Sequence, residues 1–210
     1  MKKEKKQKKS PLMFLLSVVL LELVLVLLFL PKGMLLTARE KEAQMVGQYL
    51  GVGTEKGIKQ TADIWYHKSL IETGFLDATY NYFGKYDDDG VVDDRGLGIV
   101  IDRRLDVFWL TLHLVYYRVG MLMIWLPYLL PMVLVASIDG LLQREIRKWQ
   151  FSFSSPMAHR SAARLVFLIA LAFVVIPFLP FPTPPFAMPI LMGLLAVAAW
   201  VNLANIQKRI

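Results

Sequence analysis

Apolar and polar residues fall along this chain in long blocks, not in the short periods of a soluble fold. A nearly unbroken apolar run fills residues 11–30. A mixed polar stretch follows to about residue 106, and further apolar blocks lie within Val107–Ile138, Leu165–Leu179 and Phe186–Leu203. A helix needs about 20 apolar residues to cross hydrocarbon. The pattern predicts an all-α integral membrane protein with four transmembrane helices, at 11–30, 119–138, 165–179 and 186–203. The first run is too long for the apolar part of a cleavable signal, and no small-residue cleavage pattern follows Pro31. It reads as an uncleaved anchor.

The second block sets a length problem. Its 32 residues would extend roughly 48 Å as a helix, against about 30 Å of hydrocarbon. Tyr116, Tyr117 and Arg118 read as an interfacial belt, with Arg118 snorkelling at the outer surface. The crossing is therefore placed at 119–138, and Leu105–Tyr117 becomes a surface helix that either continues into it or does not. Pro127 and Pro131 are expected to bend the crossing. The prolines at 180–185 make a tight hairpin between the third and fourth crossings.

Within the polar stretch, Thr37 and Glu40 have the spacing of a capping box that opens a helix running to about Tyr49. Leu50-Gly51-Val52-Gly53 ends it. A second helix is expected from Glu55 or Gly57 to about Phe83, with Gly74 as an interruption. Asp87–Asp94 reads as an acidic loop, and Leu97–Ile101 as a short strand or an extended link. These roughly 75 residues form a mainly helical insertion between the first two crossings. It is small for a core of its own, so it is expected to pack on the outer membrane face, on a second copy or on a partner.

Charge orients the blocks. Residues 1–9 hold six lysines and one glutamate. The short segment 139–164 carries Arg144, Arg147, Lys148, Arg160 and Arg164, and Lys208–Arg209 close the sequence. Short loops rich in Lys and Arg stay on the cytoplasmic side. Both termini and 139–164 are therefore expected inside, with 31–118 and 180–185 outside. The outer stretch 31–106 has ten Lys/Arg against thirteen Asp/Glu and is too long for the rule to govern it. A net charge of +7 would suit nucleic acid, but its confinement to membrane flanks, in a chain that is 56% hydrophobic, points to anionic lipid headgroups and to no direct nucleic-acid partner. The chain has no cysteine, which excludes disulfides, thiolate metal sites and cysteine catalysis.

Candidate chemistry is sparse. Gly51-Val52-Gly53-Thr54-Glu55-Lys56-Gly57 lacks the spacing of a phosphate-binding loop and no apolar strand precedes it, so it reads as a helix-ending turn. Asp87-Asp88-Asp89-Gly90 hints at a calcium loop, but Lys85 and Gly96 occupy its first and last ligand positions. His67, His113 and His159 fall in three different segments, so a shared metal site or triad is not expected. No cofactor and no enzymatic activity are expected. Glu22, in the middle of the first crossing, is costly there and is read first as an intramembrane helix contact, second as part of an ion pathway. Gly193, Ala196 and Ala199 permit close helix approach. Segment 139–149 should extend the second crossing inward, and Ser155-Pro156 has the form of a cap followed by a first-turn proline. The inner segment is the candidate docking surface, with Asp139, Arg144, Arg147, Trp149, His159 and Arg160 as partner-binding residues. The duller alternative is a topology anchor at headgroup depth.

From about Leu105 to Ile210 the chain resembles the DtrJ-like family of inner-membrane proteins of integrative conjugative elements and conjugative plasmids. The resemblance is carried by Trp125-Leu126-Pro127-Tyr128-Leu129-Leu130-Pro131, Asp139-Gly140-Leu141, Arg144, Arg147, Trp149, Phe151, Ser154-Ser155-Pro156, His159 and Arg160. The proline hairpin, Asn202-Leu203-Ala204-Asn205 and the Lys-Arg tail complete it. It implies a protein of the bacterial inner membrane with no catalysis of its own, and it adds nothing about the outer, periplasmic insertion that the residue pattern predicts. Its expected role is that of an accessory subunit of type IV secretion-like DNA transfer, associated with the coupling ATPase or other channel subunits, and homo-oligomeric association is open. The competing class is a small transporter or ion-conducting protein that uses Glu22 and the proline-bent second helix.

Overall fold

The computed structural model describes residues 11–83, 95–150 and 155–206. The acidic run at 87–94, the basic residues of the first ten positions and Lys208–Arg209 lie outside them. The order is α1 (Pro11–Phe29), α2 (Lys32–Leu50), α3 (Val52–Tyr66), a π-helical turn (His67–Ile71), α4 (Phe75–Phe83), α5 (Arg95–Trp149), α6 (Pro156–Val175), a 3-10 turn (Ile176–Phe178) and α7 (Ala187–Ala204). No strand occurs among the described residues. Leu97–Ile101 is therefore helix: it forms part of the start of α5 and not an extended link.

Among the described residues, three helical stretches are long and apolar enough to cross a membrane: Val100–Trp149, Pro156–Phe178 and Ala187–Ala204. The broken pair α1–α2 makes a fourth if counted as one span. That pair bends by 115° at Leu30–Pro31. Pro31 lacks an N–H for the carbonyl one turn back and crowds the preceding turn, which favours a break there. α2 starts at Lys32, five residues before the expected capping box. The Thr37 hydroxyl donates back to the Gly33 carbonyl at 2.9 Å and caps nothing. α2 does end at Leu50, where Gly51 takes a left-handed φ of 91°. α3 follows directly at Val52 and is not delayed to Glu55, and Gly74, with φ 69°, separates the π-helical turn from α4.

α5 is one helix of 55 residues, which is roughly 83 Å at 1.5 Å per residue. It continues through Pro127 and Pro131. α1, α2, α3, α4 and α7 pack directly on it, and α6 packs on α7 and α1. On its N-terminal half, Val26, Leu35, Val107 and Leu114 join α1 and α2 to it. Lower down, Val46, Ile58, Ala62, Tyr117, Met121 and Met188 bring α2, α3 and the start of α7 into one core. The helices of segment 31–83 are thus built onto α5 and share its core. Polar contacts fasten the α1–α2 corner. Lys32 pairs with Asp106 at 2.7 Å, and Arg104 donates to the Leu30 carbonyl at 3.1 Å. Tyr80 donates to Asp106 at 2.9 Å, and burial together with that bond pushes its hydroxyl up to about 12. At the other end Gly140 lets α5 touch α7. A Cβ there would lie 2.9 Å from the Trp200 carbonyl oxygen.

Candidate functional site

The most connected side chain is Arg118. It lies on α5 at the level of the hairpin joining α6 to α7, and it is fully buried, as is Glu42 of α2. Arg118 Nη2 and Nε donate to Glu42 Oε1 at 2.6 and 2.9 Å. Nη1 donates to the carbonyls of Ile176, Pro177 and Leu179 at 3.0, 2.9 and 2.5 Å, and Nη2 to that of Phe181 at 2.7 Å. The same Glu42 oxygen accepts the Thr183 backbone N–H at 2.5 Å. The prolines explain the open carbonyls. In a continuing helix Ile176 and Phe181 would be bonded by the N–H groups of residues 180 and 185, and both are proline. A planar guanidinium with five N–H donors suits such a cluster of acceptors. One ion pair thereby ties α2, α5 and the hairpin together.

This overturns the expectation that Arg118 snorkels at the surface. Tyr117 is likewise in the core, and the Tyr116 hydroxyl meets Ser69 Oγ at 2.8 Å. Sequence reasoning also passed over Glu42. Its signal was available: α2 buries Leu35, Ala38, Glu42 and Val46, an apolar stripe at helical spacing with one carboxylate in it. Glu22 sits beside this assembly, within electrostatic reach of Arg118. Both of its carboxylate oxygens are buried without a hydrogen-bond partner among the described residues.

The far end of α5 holds the other candidate residues, and the structure divides them. Asp139 accepts from Trp200 Nε1 at 2.5 Å. Arg147 donates to Asn205 Oδ1 at 2.9 Å and weakly to the Ala204 carbonyl at 3.4 Å. His159 Nδ1 donates to the Asn202 carbonyl at 3.1 Å. The Ser155 backbone N–H also reaches Asn205 Oδ1, at 3.3 Å, while its side chain caps α6 by accepting from the Ala158 N–H at 3.3 Å. Asp139, Arg147 and His159 thus gather around the last turn of α7. Trp149 and Arg160 face outward, and Arg144 is half-buried with its Nε unbonded among the described residues.

One face of α5 has no neighbour among the described residues. Tyr128, Met132, Val135, Ile138, Leu142, Ile146 and Trp149 recur at spacings of three and four, so they form a single stripe, and they are 41–83% exposed. Gly140 packs against Trp200 and Leu203, next to the end of α7. Leu142 thus lies level with the last turn of α7, and Ile146 and Trp149 continue the stripe past it.

The histidines stay apart. His67 meets Glu72 at 3.2 Å and His113 meets Asp63 at 2.7 Å. Among the described residues no three His, Cys, Asp or Glu side chains are grouped to hold a metal ion.

Neither the curated proteins nor the solved structures give a match. A protein family does: the one described as IncC plasmid conjugative DNA transfer protein DtrJ-like matches residues 32–207. The match begins where α2 begins, so it takes in Glu42, Arg118, the proline hairpin and the Asn205 cluster, and leaves α1 with Glu22 outside. With five-sixths of the sequence covered, this chain belongs to the DtrJ-like family of conjugative DNA transfer proteins.

Proposed function

We propose that the protein is an accessory inner-membrane subunit of a conjugative DNA-transfer machine of the type IV secretion kind. It would associate with the membrane domain of the coupling ATPase and perform no catalysis itself. Both termini and the 139–164 segment would face the cytoplasm, and α2–α4 the periplasm. The family supplies the process. The observation that carries the partner is the bare stripe on α5. Lipid accounts for an apolar surface at membrane depth, but not for Ile146 and Trp149 beyond the end of α7, where an exposed apolar face marks a contact site. A partner helix that leaves the membrane alongside α5 would cover it, by packing at three- and four-residue spacing. Asp139, Arg147 and His159 would act by fixing the end of α5 against α7, while Trp149 and Arg144 meet the partner directly.

The test is co-purification from the native host with Leu142→Glu, Ile146→Glu and Trp149→Ser combined. Membrane insertion should be unchanged and recovery of the ATPase should fall at least tenfold. Undiminished recovery refutes the contact. The second reading, a small transporter or conductor, rests on the unbonded buried Glu22. It requires flux in proteoliposomes that Glu22→Gln abolishes.

A further inference from the structure

Positive charge near the end of α5 is not balanced within the chain. From Val107 to Ile210 the sequence has two carboxylate side chains, Asp139 and Glu145. Asp139 is taken by Trp200 and Glu145 by Lys148. α6 and α7 contain no acidic residue. Arg160 and Arg164 lie one turn apart on α6, both exposed, and neither has a hydrogen bond or ion pair among the described residues. They are thus unlike Arg118 and Arg147, whose guanidiniums are bound internally. Exposed Met157 and Leu168 stand before and after them at helical spacing on the same face. Arg164 starts from within an apolar helix, so its charge is met only by something that reaches the membrane edge.

We propose that Arg160 and Arg164 form a binding site for the phosphate headgroup of an anionic phospholipid. The two side chains snorkel along α6 to the headgroup layer. Guanidiniums bind phosphate oxygens with paired, charge-assisted hydrogen bonds. Leu168, deeper along α6 than both arginines, lies against the acyl chains. A second copy of the chain is disfavoured as the occupant, because it would bring the same uncompensated arginines. The site depends on the membrane reading of α6 and on no protein partner, so it and the ATPase contact fail separately.

The experiment uses the full chain, purified alone and placed in nanodiscs of phosphatidylcholine, with or without phosphatidylglycerol. Native mass spectrometry reads retained lipid, and thermal unfolding reads stabilisation. Wild type should retain phosphatidylglycerol at least tenfold over phosphatidylcholine and unfold at a higher temperature with it. R160Q/R164Q should lose both effects, while R160K/R164K should keep the charge-dependent part. Equal retention of the two lipids by wild type, or equal retention of phosphatidylglycerol by wild type and R160Q/R164Q, means annular lipid only and overturns the site. Should the glutamine pair fail to insert, the comparison of the two lipids on wild type and on the single R164Q decides.

Discussion

Glu42→Ala should be among the most damaging single substitutions in the chain. It removes the counter-charge of an arginine with no solvent access and the acceptor of the Thr183 N–H. Arg118 cannot reorient toward other acceptors, because its remaining N–H groups already serve the carbonyls of Ile176, Pro177, Leu179 and Phe181. Removing one partner of a buried pair costs about 3–5 kcal/mol, since the other charge stays desolvated and unpaired. At about 2–4 °C per kcal/mol for a chain of this size, the midpoint of thermal unfolding should fall by roughly 6–20 °C. Many buried ion pairs can be exchanged for apolar residues without loss. Here the double variant Glu42→Leu with Arg118→Leu should remain destabilised, because the carbonyls of Pro177, Leu179 and Phe181 lose their donor and that of Ile176 keeps only the Leu179 N–H. Unfolding in detergent, followed by circular dichroism, measures the size, and hydrogen exchange at Thr183 measures the place. A midpoint within about 2 °C of wild type, with exchange at Thr183 unchanged, would refute the reasoning, as that shift corresponds to under about 1 kcal/mol.

Other perturbations follow from single contacts. Gly140→Ala should destabilise by about 1–3 kcal/mol, because the new Cβ meets the Trp200 backbone at 2.9 Å, whereas Gly120→Ala should be near neutral, its nearest contact being an Ile58 methyl at 3.4 Å. Comparing their unfolding midpoints checks both. Ser155→Ala removes the cap of α6 and should cost about 1 kcal/mol in the same assay. Gly51→Ala is strained at φ 91° and should lower the midpoint although open space surrounds it.

Much of the helical layout was legible from the sequence because it rests on local chemistry. The apolar blocks, the Ser155-Pro156 start of α6, the break at Gly51 and the proline hairpin are each set by a few adjacent residues. What escaped depends on distant residues meeting. Arg118 follows two tyrosines in an apolar context, which is also how a residue at a membrane interface reads. Only the approach of Glu42, 76 positions away, turns it into a buried centre. The capping-box reading of Thr37 failed because α2 is fixed from its start by Pro31 and the Lys32–Asp106 pair, so a helix turn earlier than the cap is already formed. At the candidate docking surface six residues have equal standing when read from sequence alone. Packing separates them, since Asp139 is drawn to α7 by the Trp200 N–H donor, and Arg147 and His159 by backbone and side-chain acceptors, none of which a spacing rule reveals.

The account stands or falls on what covers the bare face of α5. A photo-crosslinking residue placed at Val135, Leu142 or Trp149, with Gln48 on α2 as a control, would be activated in donor cells during DNA transfer. The account predicts a crosslink from all three stripe positions to the membrane domain of the coupling ATPase and none from position 48. Crosslinks to lipid alone, or to no protein at position 149, would contradict it.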